Sequence, residues 1–68
     1  MDVETLTQLL REAEEHHAPY EAEAPKHDWS GFYAAYIVAR EGGRSPEEAD
    51  KEARAHMDRI LAERGPDP

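Results

Sequence analysis

The chain has no cysteine. That absence excludes a disulfide framework, a thiolate nucleophile and a thiolate zinc site, and it fits a reducing compartment. Long hydrophobic runs are missing too. The longest charge-free stretch, WSGFYAAYIVA from Trp29 to Ala39, is well short of the roughly 20 apolar residues that cross a bilayer. Basic side chains are scarce: eight Lys and Arg stand against 16 Asp and Glu, a formal net charge of −8, and such a surface repels phosphate backbones and anionic headgroups. Asp2 and Glu4 occupy the opening turn, where a secretory signal carries basic residues. Glycine is sparse, and EGGRS at 41–45 is too short to cradle a phosphate; it reads as a helix stop followed by a cap. These exclusions predict a cytoplasmic protein with no nucleic acid and no membrane as direct partner.

What is present points to helices. A chain of 68 residues makes one domain at most, with a modest core. Asp2 is a good N-cap, and Leu6, Leu9, Leu10, Ala13 and His17 recur at helical spacing with Arg11, Glu12 and Glu15 turned largely away, which predicts a first helix over Val3 to His17. Pro19 ends that helix or opens a new turn, so PYEAEAP reads as a short extra helical turn closed by Pro25. A second helix is predicted from Trp29, capped by Asp28 or Ser30, to Glu41, stopped by Gly42 and Gly43. It is apolar nearly all round, which places it centrally or under cover. SPEE at 45–48 joins a Ser45 N-cap, Pro46 in the first helical position and Glu48 three residues after the cap, the signature of a capping box. The third helix then runs to Arg64 before Gly65, with Ala49, Ala53, Met57, Ile60 and Leu61 inward. The fold class predicted is all-α: a single three-helix domain over residues 1–65 with a short extra turn between the first two helices, and a frayed tail at 66–68.

Most of the chemistry-bearing side chains lie in one stretch, HHAPYEAEAPKHDWSGFYAAY at 16–36. It holds three of the four histidines and all five aromatics. Phe32, Tyr33, Tyr36 and Ile37 are spaced as core. A reversal of direction between the first two helices would gather His16, His17, Tyr20, Glu21, His27, Asp28, Trp29 and Tyr33 into a ligand-binding edge. Within it His17, Glu21 and His27, with Asp28 or water, make an N and O ligand set suited to Zn, Fe or Mn. The same atoms also support acid–base work, with His27 as base, Asp28 or Glu21 orienting it and Tyr20 or Tyr33 donating a hydrogen bond. Against both stands a purely structural role, in which His16 and His17 stabilise a helix end and Asp28 caps the next helix. His56, four residues after Glu52, reads as a surface or edge residue.

The pieces EEHH and YE around His16, His17, Tyr20 and Glu21, HDW at 27–29 and YAAYIVAR at 33–40 resemble a short helical segment of actinobacterial proteins. That segment occurs alone or appended to glyoxalase/bleomycin-resistance (vicinal oxygen chelate) domains, and the resemblance covers about residues 9 to 57. It implies no activity of its own, because the β-rich metal-binding domain of those proteins has no counterpart in this chain. The function expected is a small binding or accessory module, contacting a small ligand or a partner protein through the polar–aromatic edge; self-association is expected as well, because two neighbours of this size hardly cover a helix as uniformly apolar as Trp29 to Ala39. The alternatives are an oligomeric metal-assisted or acid–base enzyme of the glyoxalase-associated type, and an acidic inhibitor presenting Glu12, Glu15, Glu47, Glu48 and Glu52 to a basic protein.

Overall fold

The computed structural model describes residues 1–64, so the stop at Gly65 and the tail expected at 66–68 lie outside the described residues. Three helices follow one another, α1 Val3–Glu23, α2 Trp29–Glu41 and α3 Pro46–Arg64, with no strand among the described residues. The all-α three-helix fold is as the sequence implies. Asp2 caps α1, its Oδ1 accepting from the Thr5 N–H at 2.7 Å. The capping box of α3 is complete: the Glu48 N–H donates to Ser45 Oγ at 3.1 Å and the Ser45 N–H to Glu48 Oε1 at 3.0 Å. α2 ends in a Schellman motif, in which Gly43 takes φ of 96° and the Arg44 and Gly43 N–H groups return to the Ala39 and Arg40 carbonyls.

One expected boundary moves. α1 does not stop at His17; it continues through Pro19 to Glu23 and absorbs the short extra turn. Pro19 deprives the Glu15 carbonyl of its helical donor, but both residues are exposed, so water can take the donor's place. The gain lies on the opposite face, where Leu9, Ala13, His17 and Tyr20 are all buried at the i, i+4, i+8, i+11 spacing of one continuous stripe. Burying the Tyr20 ring is worth about 1.5–3 kcal/mol, enough to carry the helix past its proline. The Ala24 N–H then closes it on the Tyr20 carbonyl at 2.9 Å.

α2 is central, as its composition implies, and makes most of the helix–helix contact. Phe32 and Tyr36 are fully buried between Ala13 and Tyr20 of α1 and Ala49, Ala53 and Met57 of α3. The alanines let α3 approach closely, and Gly31 extends that approach: a Cβ there would lie 3.0 Å from Met57 Sδ. Pairings such as Glu12 with Arg40 and His17 with His27 run α1 antiparallel to α2, while His16 with Asp50 and Glu23 with Arg54 run it parallel to α3. The staggered helices span 43 × 18 × 18 Å. Leu6 and Leu10, read as inward, are partly exposed.

Candidate functional site

The reversal between α1 and α2 brings His17 and His27 together. His17 projects from the buried face of α1 and is 6% exposed; His27 stands half-buried in the 24–28 connection. Their Nε2 atoms lie 3.0 Å apart, with the rings edge to face at 5.2 Å. Each remaining ring nitrogen has an acceptor beside it. His27 Nδ1 is 2.7 Å from the Pro25 carbonyl, and His17 Nδ1 is 3.7 Å from a Glu21 carboxylate oxygen one helical turn on. Burial holds the His17 imidazole below the ordinary histidine value of 6.5; charge on Glu21 pulls it up and charge on His27 pushes it further down.

Aromatic rings surround the pair. Phe32 and Tyr33 meet the His17 ring at 5.2 and 5.4 Å, and Tyr20 meets His27 at 5.1 Å. Trp29 stacks edge-on against Tyr33 at 5.0 Å yet is 61% exposed. Tyr20 is buried beneath the Arg54 guanidinium, 5.4 Å from its ring centroid. Its hydroxyl has no hydrogen-bond partner among the described residues. Burial, with the charge of Asp58, raises the Tyr20 phenol above its usual value. Burial does the same at Tyr33, reinforced by Glu14 and Glu21. Clefts of about 280 Å³ and about 310 Å³ flank the 24–28 connection, the first lined by His27, Asp28, Ser30, Gly31, Met57, Ile60 and Leu61, the second by Tyr20, Glu23, Ala24, Pro25, Arg54 and Asp58.

Six of the eight residues read from the sequence as an edge, His17, Tyr20, Glu21, His27, Trp29 and Tyr33, therefore gather in one place. Two do not. His16 turns the other way, its Nδ1 3.1 Å from Asp50 of α3 and its ring 5.1 Å from Tyr36. Asp28 holds the N-cap position of α2 without a side-chain capping bond, and the group that orients His27 is the Pro25 carbonyl. Because α1 continues to Glu23, His16 and His17 do not sit at a helix end, and the dipole role weighed for them falls away. His17, Glu21 and His27 are adjacent but do not converge as a ligand set, since Glu21 faces Nδ1 of His17 and His27 faces Nε2. Among the described residues no three His, Asp or Glu side chains converge on a common point.

Sequence reasoning missed a second polar cluster, one helical turn from the first. Glu12, read as facing away, accepts from the Tyr36 hydroxyl and from Arg40 Nε, both at 2.9 Å. Arg40 in turn donates to the Arg44 carbonyl at 2.9 Å. The guanidinium and phenol hold Glu12 below the usual carboxylate range, while burial and Glu12 push Tyr36 up to about 12. The only advance signal was the buried phenol, which needs a partner. A groove of about 500 Å³ between α2 and α3, floored by Ala34, Ala35, Val38, Ala39 and Ala55 and walled by Glu52, His56 and Arg59, was also unforeseen; His56 is an edge residue, as read. No family model, curated protein sequence or solved structure matches the chain.

Proposed function

We propose that the chain is a small binding or accessory module whose edge, running from the His17–His27 pair to Tyr33 and Trp29, contacts a small ligand or a partner protein. The observation that carries this reading is Trp29, an indole 61% exposed that packs on Tyr33, whose ring in turn lies against His17. Large aromatics with one face in water and a polar neighbour are the residues that anchor recognition. The acid–base enzyme reading finds less support, because the two ring nitrogens of His27 face the Pro25 carbonyl and His17, the first in the place that reading gave to a carboxylate. The inhibitor reading also loses ground: Glu12, Glu48 and Glu52 of its five carboxylates are committed to Arg40, Ser45 and Arg44.

Trp29 is the sole tryptophan and reports directly on the edge. In a ligand-observed NMR screen of a fragment library, binders should quench or shift Trp29 fluorescence. They should be lost in Trp29→Ala and His27→Ala, both of which keep the parental helicity. Fragments that bind equally well to both variants, or that perturb only Val38 and Ala55 in the α2–α3 groove, would remove the reading.

A second copy is a partner with an observation of its own. The outward face of α2 carries no charge before Glu41 at its C-terminal end: Ser30, Ala34 and Val38 are exposed, Val38 at 70%, on a chain of net charge −8 whose other helices are rich in charge. Sedimentation at rising salt should show association that strengthens as repulsion is screened. A monomer at all salt concentrations rules this second reading out.

A further inference from the structure

The face of α2 and α3 turned away from α1 is open. α1 meets α3 through Asp50 and Arg54. On the opposite side of α3, Glu48, Glu52, His56, Arg59 and Glu63 form one stripe at the three- and four-residue spacing of a helix face. His56 is half-buried and the others are exposed. Arg44 extends the stripe at its N-terminal end, with Nε 3.5 Å from Glu52, while Arg59 has no ion-pair partner among the described residues. Beside the stripe lies the groove floored by Ala34, Ala35 and Val38.

In chain order the stripe reads plus, minus, minus, imidazole, plus, minus. Its signs invert about the midpoint between Ala53 and Arg54: Arg44 stands as far from that point as Glu63, and Glu48 as far as Arg59. A copy laid antiparallel on it sets Arg44 against Glu63, Glu48 against Arg59 and Glu52 beside His56. Each pairing occurs twice, as a two-fold interface requires. Because Gly31 lies against Met57 in the antiparallel α2–α3 hairpin, the same midpoint is level with Ala34 and Ala35. The rotation therefore brings those small residues onto their counterparts and sets Val38, 70% exposed, level with Ser30 and Gly31 of the second copy.

We propose that the α2–α3 face seats a second copy of this chain, in a two-fold dimer whose α3 helices run antiparallel about the Ala53–Arg54 midpoint and whose α2 helices meet at Ala34 and Ala35. It rests on the second-copy reading above and adds the surface and the register. The small side chains of the floor permit axes as close as about 8 Å. The charges fix the register: sliding the copy by one helical turn brings Glu48 against Glu63 in one direction and Arg44 against Arg59 in the other. Glu41 stands level with Asp28, a pair of like sign, but both are exposed at the margin, where a single pair weighs little.

The test is sedimentation of the parent and two charge variants at physiological salt, from micromolar to millimolar protein. Arg44→Glu/Arg59→Glu makes the stripe acidic, and Glu48→Lys/Glu63→Lys makes it basic except at Glu52. Each variant alone should dimerise about tenfold or more weakly than the parent, because unlike pairs become like ones. An equimolar mixture of the two should form a one-to-one heterodimer, since every exchanged pair is again unlike. Net charge alone predicts the reverse for the basic variant, which is nearer to neutral than the parent and would associate more strongly. Glu48→Lys removes the bond to the Ser45 N–H, so Arg44→Glu mixed with Glu63→Lys repeats the experiment with the capping box intact. A parent dimer that both variants leave unchanged, or a mixture with no preference for the heterodimer, overturns the surface and register while the second-copy reading stands. A monomer at every concentration overturns both.

Discussion

Along the seam between α2 and α3, Ala49, Ala53 and Met57 join one core with Phe32, Tyr36 and Ala39, Gly31 is drawn close to Met57, and small side chains set the distance. The seam between α1 and α2 is built differently. It buries an imidazole, and at its margins are a phenol–carboxylate–guanidinium cluster and an imidazole pair. The first seam supplies stability that is indifferent to pH and solution ions. The second places groups that can titrate or bind where they must still be held by the fold. α2 connects the two, and the residue that faces both is Tyr36: its ring is fully buried and its hydroxyl reaches Glu12.

Tyr36→Ala should therefore have the largest effect. Truncating a buried aromatic costs about 3–5 kcal/mol, comparable with the whole stability of a small domain, and circular dichroism should report a chain that is largely unfolded at room temperature. Tyr36→Phe keeps the ring and strands Glu12 with Arg40 alone, at a cost of about 1–2 kcal/mol; equal melts for the two variants would contradict the separate roles of ring and hydroxyl. Ala53→Leu tests the other seam. Ala53 is fully buried against α2, so the added bulk should cost about 1–3 kcal/mol while leaving fragment binding at the edge in place.

Acid should separate the seams without a mutation. The folded chain holds His17 below 6.5, so the unfolded chain binds the extra proton. Stability from this group is present above that pH and is lost as pH falls toward the lowered folded value. Glu12, held below 4.5, contributes in the same direction at lower pH. Thermal midpoints should be level above 6.5, fall below it, and fall again below 4.5. The first step should be absent in His17→Gln, and a midpoint that rises on acidification would overturn the assignment of a neutral buried imidazole. The smallest effect on stability should come from Trp29→Ala. With the indole mostly in water, the melt should move by no more than about 0.5 kcal/mol, although binding at the edge is lost.

How far the sequence reached follows from the range of each interaction. Asp2, the Ser45–Glu48 box and the Gly42–Gly43 stop act within a few residues of themselves, so the start of α1, the start of α3 and the end of α2 could be read directly. The C-terminus of α1 was misjudged because Pro19 signals a break locally while Tyr20 is buried against Phe32 and His27, partners absent from any local window. The site divides in the same way. Residue types, and their concentration at 16–36, identified the edge; rotation about the helix axis decided its membership. That rotation turned His17 toward His27 and its neighbour His16 toward Asp50. It also turned Glu12, apparently a solvent residue, onto Tyr36. Sequence alone determined three helices, their caps and an acidic chain with its aromatics and histidines in one region. Which nitrogen faces which, and which carboxylate belongs to the core, was settled by the antiparallel packing of α1 on α2, since contacts across that seam join residues 10 to 28 apart, beyond the reach of any periodicity.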